Sequence, residues 1–147
     1  MQTLIKSLVF SLLAIVLVNC KQQTALNKEQ STTETDSLIF SYQRTACFGE
    51  CPVYSIEVYK SGYTHWEGKI YTERLGHYVG TTDKVWLNNL LNEAKEIGFF
   101  DLPDKIETNI TDFPSKIIYF NLNGKKKEVN DPSAGPDALR ALQKKIE

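Results

Sequence analysis

Two cysteines and two histidines are the residues of this chain with the most specific chemistry. Cys47 and Cys51 enclose the segment FGE and are followed directly by a proline. His65 and His77 are the only histidines in the sequence. Paired cysteines form disulfides, exchange electrons or bind soft metals as thiolates, and histidine is a common third metal ligand. The spacing of the cysteines therefore raises three hypotheses.

The first hypothesis is a structural disulfide between Cys47 and Cys51. The N-terminal pattern described below predicts export, and disulfides persist in oxidising compartments outside the cytoplasm. Closing a loop of about five residues stabilises the fold by about 2 kcal/mol in the chain-entropy model. We expect this bond to fix the approach of one strand to the next.

The second hypothesis is copper binding. The spacing C-x3-C-P resembles the motif of Sco-type copper proteins, in which two thiolates and a distant histidine hold the ion. The resemblance implies Cys47 and Cys51 as ligands, with His65 and His77 available to complete the site. In those proteins the motif opens a helix of a thioredoxin-like fold. Here Pro52 leads into an alternating strand, so copper remains the alternative.

The third hypothesis is a redox dithiol formed by Cys47 and Cys51. A redox dithiol needs a helix N-terminus or nearby cations to lower the thiol pKa. Arg44 is such a cation, but the negative charge of Glu50 opposes its effect.

Asp112 in the segment TDFP is a potential carboxylate ligand or base. Aspartate in a turn before proline more often bonds its own backbone, and the role of Asp112 stays open.

The sequence contains no arrangement typical of catalysis. It has no G-x-S-x-G nucleophile motif, no phosphate-binding loop and no paired histidines at helical spacing. We therefore expect a non-enzymatic binding or interaction module. Aromatic residues crowd the predicted strands, and an exposed row of them would form a recognition surface; they are Tyr54, Tyr59, Tyr63, Trp66, Tyr71 and Tyr78.

Composition narrows the class of protein. The chain has 147 residues, of which 41% are hydrophobic, and a formal net charge of −1. This length and composition fit one globular domain. Nucleic-acid binding is disfavoured because such proteins carry a basic face and a high pI.

The N-terminus has the pattern of a lipoprotein signal peptide over residues 1–19. Lys6 precedes an apolar run, residues 8–18, which is too short to cross a membrane as a helix. The sequence LVNC, ending at Cys20, resembles the lipobox of bacterial lipoproteins, in which the cysteine is acylated. The resemblance implies a lipid anchor at Cys20, with the membrane as a partner, and leaves the other two cysteines as a pair.

Residues 20–37 are predicted to be a lipidated cysteine and a flexible tether. The stretch has one large aliphatic residue, Leu26, and no aromatic residue, so it cannot bury enough surface to order itself. It also lacks an acidic cluster after the cysteine. We expect an outer-membrane protein facing the periplasm, whose partner is an envelope protein or a small ligand.

Residues 38–147 are predicted to form a single α+β domain, an antiparallel sheet of about five to six strands with two helices on one face. The first hairpin, 52–67, turns at Lys60-Ser61-Gly62, which places Glu57 opposite His65 on the solvent side and Trp66 on the core side. Strand segments at 70–72 and 77–81 follow. A helix then runs from Asp83 to Gly98, a hairpin turns at Asn123-Gly124, and a last helix starts at Pro136.

The domain resembles a family of small bacterial lipoproteins, of Bacteroidetes type, known as domain-of-unknown-function family 6438. The resemblance covers residues 38–147 and implies the compartment and fold type but no activity. The residues that carry it are Arg44, Cys47, Gly49, Cys51, Pro52 and Tyr54, then Gly68, then Thr111, Asp112 and Pro114, and finally Gly135 and Pro136.

Overall fold

The computed structural model describes residues 36–109 and 113–147, which form an α+β fold around one antiparallel sheet. The predicted signal peptide, Cys20, nearly all of the tether and Asp112 lie outside these residues. The strands are β1 Leu38–Arg44, β2 Val53–Tyr59, β3 Tyr63–Ile70, β4 Gly76–Thr81, β5 Lys116–Leu122 and β6 Lys125–Asp131; the helices are α1 Lys84–Glu96 and α2 Asp137–Ile146, with a 3-10 turn at Phe99–Asp101.

The six strands pair in the order β4-β3-β2-β1-β5-β6, and every neighbouring pair is antiparallel. The predicted fold class is therefore confirmed. The register of the β2–β3 hairpin is also as predicted, with Glu57 opposite His65 and Ile56 opposite Trp66. The turn at Gly62 (φ 94°) brings the chain back in this register, which keeps Trp66 on the core side.

The connection from β3 to β4 differs from the sequence-based expectation. No separate strand forms at 70–72, because β3 continues through Ile70 and the chain then turns at Tyr71, whose φ is +52°. A bulge precedes the turn, since Tyr54 pairs with Gly68 whereas its neighbour Val53 pairs with Ile70. The predicted bend at Gly68 is therefore present, and residues 71–75, which follow β3, form a loop.

One face of the sheet carries the hydrophobic core, and both helices cover it. In α1, Asp83 accepts a 2.8 Å hydrogen bond from the amide of Trp86 as N-cap, and Gly98 ends the helix region with φ 74°. No helix within 36–109 or 113–147 is long and apolar enough to cross a membrane. The core includes Phe40, Tyr42, Val58, Ile118, Phe120 and Val129 of the sheet, and Leu87, Leu90, Leu91, Ala94, Leu139 and Leu142 of the helices.

A buried polar contact locks the start of α2 onto the sheet. Asp131 is fully buried and accepts hydrogen bonds from the amides of Ala134 (2.8 Å) and Gly135 (2.9 Å) and from the side chain of Gln143 (2.7 Å). A Cβ at Gly135 would lie 2.8 Å from Leu139 and 2.9 Å from Asp131. The carboxylate therefore has a structural role, because its partners are backbone amides and an amide side chain that all belong to the turn and helix.

The opposite face of the sheet is not covered by either helix. It presents alternate residues of the strands, which are mainly polar or aromatic. We call it the open face; its residues include Gln43, Ser55, Glu57, Tyr59, Tyr63, His65, Glu67, His77, Val79, Tyr119 and Glu128.

Candidate functional site

The two cysteines are bonded to each other. Cys47 and Cys51 form a disulfide with their Cα atoms 5.7 Å apart. Its loop connects Arg44 at the end of β1 to Tyr54 in β2, and these two residues are partners in the strand register. The disulfide therefore constrains the loop between β1 and β2 next to Arg44 and Tyr54, which both line the cleft described below.

The copper alternative needs free thiolates close to a histidine, and the structure provides neither. Both sulfurs are used in the disulfide, and β2 rather than a helix follows Pro52. Within the described segments, no group of three or more His, Cys, Asp and Glu side chains is placed to hold a metal ion. His65 and His77 do come together, but on the open face, where their neighbours are glutamates.

A cleft of about 560 Å³ opens on the covered face of the sheet, between the end of α2 and the β3–β4 loop. Pockets of this size bind small ligands in other proteins. Its walls are aromatic and aliphatic, and its charged side chains come from the ends of the elements. The lining residues are Arg44, Pro52, Tyr54, Ile56, Trp66, Tyr71, Thr72, Glu73, Arg74, Tyr78, Ile146 and Glu147. We call it the Arg44 cleft.

A polar cluster forms one end of the Arg44 cleft. The carboxylate of Glu147 accepts a 2.6 Å hydrogen bond from the hydroxyl of Tyr42. Lys116 lies 3.1 Å from the same carboxylate and Arg44 lies 3.4 Å from it. The Lys116 and Arg44 side chains are only 16% and 20% exposed, so these charges are poorly screened by water. The Nε of Arg44 is buried without a hydrogen-bond partner.

The electrostatics of the cluster fix the protonation states of its members. Burial raises the pKa of Tyr42 far above its ordinary value, and the hydrogen bond to Glu147 raises it further. Burial also raises the pKa of Tyr54, with the charge of Glu147 adding to the effect. Burial opposes ionisation of Glu147, but hydrogen bonds from Tyr42 and Lys116 and the positive charges outweigh it and lower its pKa. At neutral pH both phenols are neutral and the carboxylate is charged.

The aromatic wall of the Arg44 cleft is built by neighbouring strands. Tyr54 of β2 stacks on Trp66 of β3, with ring centroids 4.6 Å apart and planes inclined by 21°. Tyr78 of β4 is the register partner of Trp66 and is 47% exposed. Stacked rings of this kind offer a flat apolar surface to a ligand.

The β3–β4 loop folds back over the sheet to form the outer wall. The Nε1 of Trp66 donates a 3.1 Å hydrogen bond to the carbonyl of Arg74. A Cβ at Gly68 would lie 1.8 Å from that carbonyl oxygen, so only glycine allows the loop to approach this closely. The left-handed backbone at Tyr71 turns the loop toward the cleft, and its side chain is 54% exposed.

The sequence identified some of these residues and missed others. Arg44, Pro52, Tyr54 and Gly68 carry the sequence resemblance; in the structure the first three line the cleft, and Gly68 lies against the carbonyl of Arg74 in its outer wall. Trp66, Tyr71 and Tyr78 were in the predicted aromatic row. Tyr42, Lys116 and Glu147 were not predicted as site residues, because Tyr42 and Glu147 are 105 positions apart and no local pattern connects them.

The fold is that of a small α+β protein, and the sequence matches a family model. Residues 38–147 match the model of a domain of unknown function, DUF6438. Because this match covers most of the sequence, the chain belongs to that family. No curated protein matches the chain, and no solved structure matches it.

Proposed function

We propose that this protein is a non-enzymatic binding module of the cell envelope. Its Arg44 cleft takes a small ligand that carries a flat apolar part and an anionic group such as a carboxylate. The observation that carries this proposal is the charge balance of the cluster. Arg44 and Lys116 both lie against one carboxylate, that of Glu147, beside a wall of stacked aromatic rings.

The charge balance favours an anionic ligand. Among the side chains of the cluster, Arg44 and Lys116 bring two positive charges and Glu147 brings one negative charge, because Tyr42 and Tyr54 are neutral. The rim residues Glu73 and Arg74 cancel each other. Counted over the side chains, one positive charge therefore remains on poorly hydrated groups, and buried or half-buried charges are stabilised by a partner of opposite sign.

Arg44 is the group best placed to bind the anion. Its ion-pair contact to Glu147 is long at 3.4 Å, and a guanidinium offers five N–H donors in a planar fork. That fork matches a carboxylate in two parallel hydrogen bonds. A ligand carboxylate beside Arg44 would place its apolar part along Tyr54 and Trp66, which line the same cleft.

The same electrostatics argue against acid–base catalysis in the cleft. A general acid or base works best when its pKa lies near the working pH. The pKa of Tyr42 is raised and that of Glu147 is lowered, so both are moved away from neutrality. These groups hold fixed charges and hydrogen bonds, which suits binding better than proton transfer.

The envelope location rests on the sequence pattern of residues 1–20. A charged start, a short apolar run and the lipobox-like LVNC support acylation of Cys20 and anchoring at the outer membrane, facing the periplasm. The polar stretch that follows would hold the family domain away from the bilayer. In this arrangement the Arg44 cleft samples solutes or exposed chain ends of envelope molecules.

The proposal is tested by NMR with a panel of aromatic carboxylates and their matched neutral amides, added to the full chain. Carboxylates that bind should shift the backbone amides of residues lining the Arg44 cleft, and the matched amides should shift them less. Arg140→Gln serves as the control for loss of an arginine, because Arg140 lies on α2 and is 50% exposed. Shifts that are scattered over the surface, or equal for acid and amide, would contradict the proposal.

A further inference from the structure

The open face carries a row of four titratable side chains across three strands. Glu57 of β2 faces His65 of β3 in the register, and Glu67 of β3 faces His77 of β4. The two imidazole rings are parallel within 7°, with centroids 5.5 Å apart. The Nε2 of His65 lies 3.3 Å from the Nδ1 of His77. The row is therefore ordered as Glu57, His65, His77 and Glu67.

Each histidine has a carboxylate at its outer nitrogen. The Nδ1 of His65 lies 3.6 Å from Glu57, and the Nε2 of His77 lies 3.9 Å from Glu67. The hydroxyl of Tyr59 donates a 3.1 Å hydrogen bond to Glu57 and so holds that carboxylate in place. A carboxylate favours the tautomer whose N–H points toward it. The two inner nitrogens lie within hydrogen-bond distance, and whether one donates to the other depends on the tautomers. In the tautomer with both protons on the outer nitrogens, both inner nitrogens are free to bind an ion.

A positive ion between the two inner nitrogens would bind both lone pairs, in place of the hydrogen bond that the pair can otherwise form. The spacing suits a tetrahedral metal ion, because two nitrogens each about 2.05 Å from such an ion stand about 3.3 Å apart. An outer N–H directed to a carboxylate is also the usual arrangement of metal-binding histidines. We propose that the Nε2 of His65 and the Nδ1 of His77 bind a divalent ion of the zinc and copper class.

This site differs from the copper site considered for the cysteines. It uses imidazole nitrogens alone, which suit Zn²⁺ and Cu²⁺, and no thiolate. Since no three His, Cys, Asp or Glu side chains in the described part of the chain are placed to hold one ion together, the ion takes two protein ligands. Water or a second molecule fills its other positions, and His77, with its side chain 67% exposed, leaves room for them.

The metal site is independent of the Arg44 cleft, because the two lie on opposite faces of the sheet. Glu57 and Glu67 act as positioning residues in it, since each orients a histidine and neither touches the ion. A purely structural role for Glu57 would alter stability and leave metal affinity unchanged. Removing such a carboxylate lowers metal affinity by about tenfold or more when it orients a ligand.

The test is an NMR titration of the full chain with Zn²⁺ alone, followed through the imidazole signals. Because the chain contains only two histidines, these signals report this site and no other. We expect both histidines to shift together with one ion per chain. His65→Gln and His77→Gln should each lower the affinity by more than about tenfold, and the double variant should lose little more, since each ligand needs the other.

Two further variants test whether Glu57 raises the Zn²⁺ affinity by orienting His65 or only by adding negative charge to the open face. Glu57→Gln should weaken Zn²⁺ binding by about tenfold, whereas Glu128→Gln, on the open face of the far edge strand β6, should not. Amide spectra confirm that each variant is folded. The proposal is overturned if Zn²⁺ moves neither imidazole, if the two histidines titrate with separate affinities, or if the losses in the two single variants simply add.

Discussion

The hydroxyl of Tyr42 donates a 2.6 Å hydrogen bond to the carboxylate of Glu147, across 105 positions of sequence. It joins β1, in the centre of the sheet, to the residue that follows α2. The bond holds Glu147 where Arg44 and Lys116 reach it, and so builds the polar end of the Arg44 cleft. Stability and ligand binding are therefore expected to depend on the same contact.

Tyr42→Phe should lower the free energy of unfolding by about 2 kcal/mol, because it removes a hydrogen bond to a charged group and leaves the ring in the core. Urea denaturation measures the change. Tyr59→Phe is the matched control, since the Tyr59 hydroxyl also bonds a glutamate but on the open face. That variant should change stability by no more than about 0.5 kcal/mol. If both variants lose the same free energy of unfolding, the Tyr42 hydrogen bond contributes no more to stability than the exposed one of Tyr59.

The acid dependence of stability should report Glu147. Hydrogen bonds and positive charges outweigh the effect of burial and hold the folded pKa below its ordinary value of 4.5. The unfolded state therefore takes up the proton first as the pH falls. The stabilisation is complete above the ordinary pKa and is lost as the pH falls through the lowered, folded-state pKa.

Glu147→Gln removes this contribution, so the stability of the variant should decline less steeply between about pH 6 and pH 3 than that of the wild type. Urea denaturation at several pH values measures both slopes. Glu96→Gln, which changes an exposed glutamate at the end of α1, is the control and should keep the wild-type slope. Parallel curves for Glu147→Gln and wild type would contradict the assigned role.

The parts of the fold and of the cleft that could be predicted from sequence are those set by residues close together in the chain. The β2–β3 register followed from one amphipathic pattern, because a slip by one residue would have moved Trp66 to the open face. The partner of Tyr42 was not predictable, since no local rule relates a strand residue to Glu147. Gln143 was also missed, because a glutamine on a helix is usually exposed, whereas here its Nε2 donates a hydrogen bond to Asp131 in the core.

The disulfide should contribute to stability without defining the fold. Replacing Cys47 and Cys51 together by serine should lower the free energy of unfolding by about 2 kcal/mol, since the unfolded chain regains the freedom of a short loop. The native protein should have a mass about two units below that of its dithiol form, because two hydrogens are lost on oxidation. Two titratable thiols in the native protein, other than that of Cys20, would contradict the bond.

Cys20 is expected to carry the lipid anchor. Expressed in its host, the full chain should incorporate labelled fatty acid and sediment with membranes, and Cys20→Ala should do neither. The double serine variant of Cys47 and Cys51 is the control, and it should label like the wild type because those sulfurs are used in the disulfide. If Cys20→Ala labels and sediments normally, the anchor lies elsewhere or is absent.

The most direct test of ligand binding uses the fluorescence of Trp66. In a Trp86→Phe background Trp66 is the only tryptophan, and it lines the Arg44 cleft. The probe is the aromatic carboxylate that shifts the cleft amides most in the NMR panel, compared with its neutral amide. The carboxylate should perturb Trp66 and bind about tenfold more tightly than the amide, a difference of about 1.4 kcal/mol.

Arg44→Gln should abolish that preference, so that acid and amide bind alike, whereas Arg140→Gln should preserve it. Arg44→Lys should keep part of the preference, because it retains the charge but loses the fork. Amide spectra verify the fold of each variant. A carboxylate that binds no better than its amide in the wild type, or a preference that survives in Arg44→Gln, would contradict the central claim.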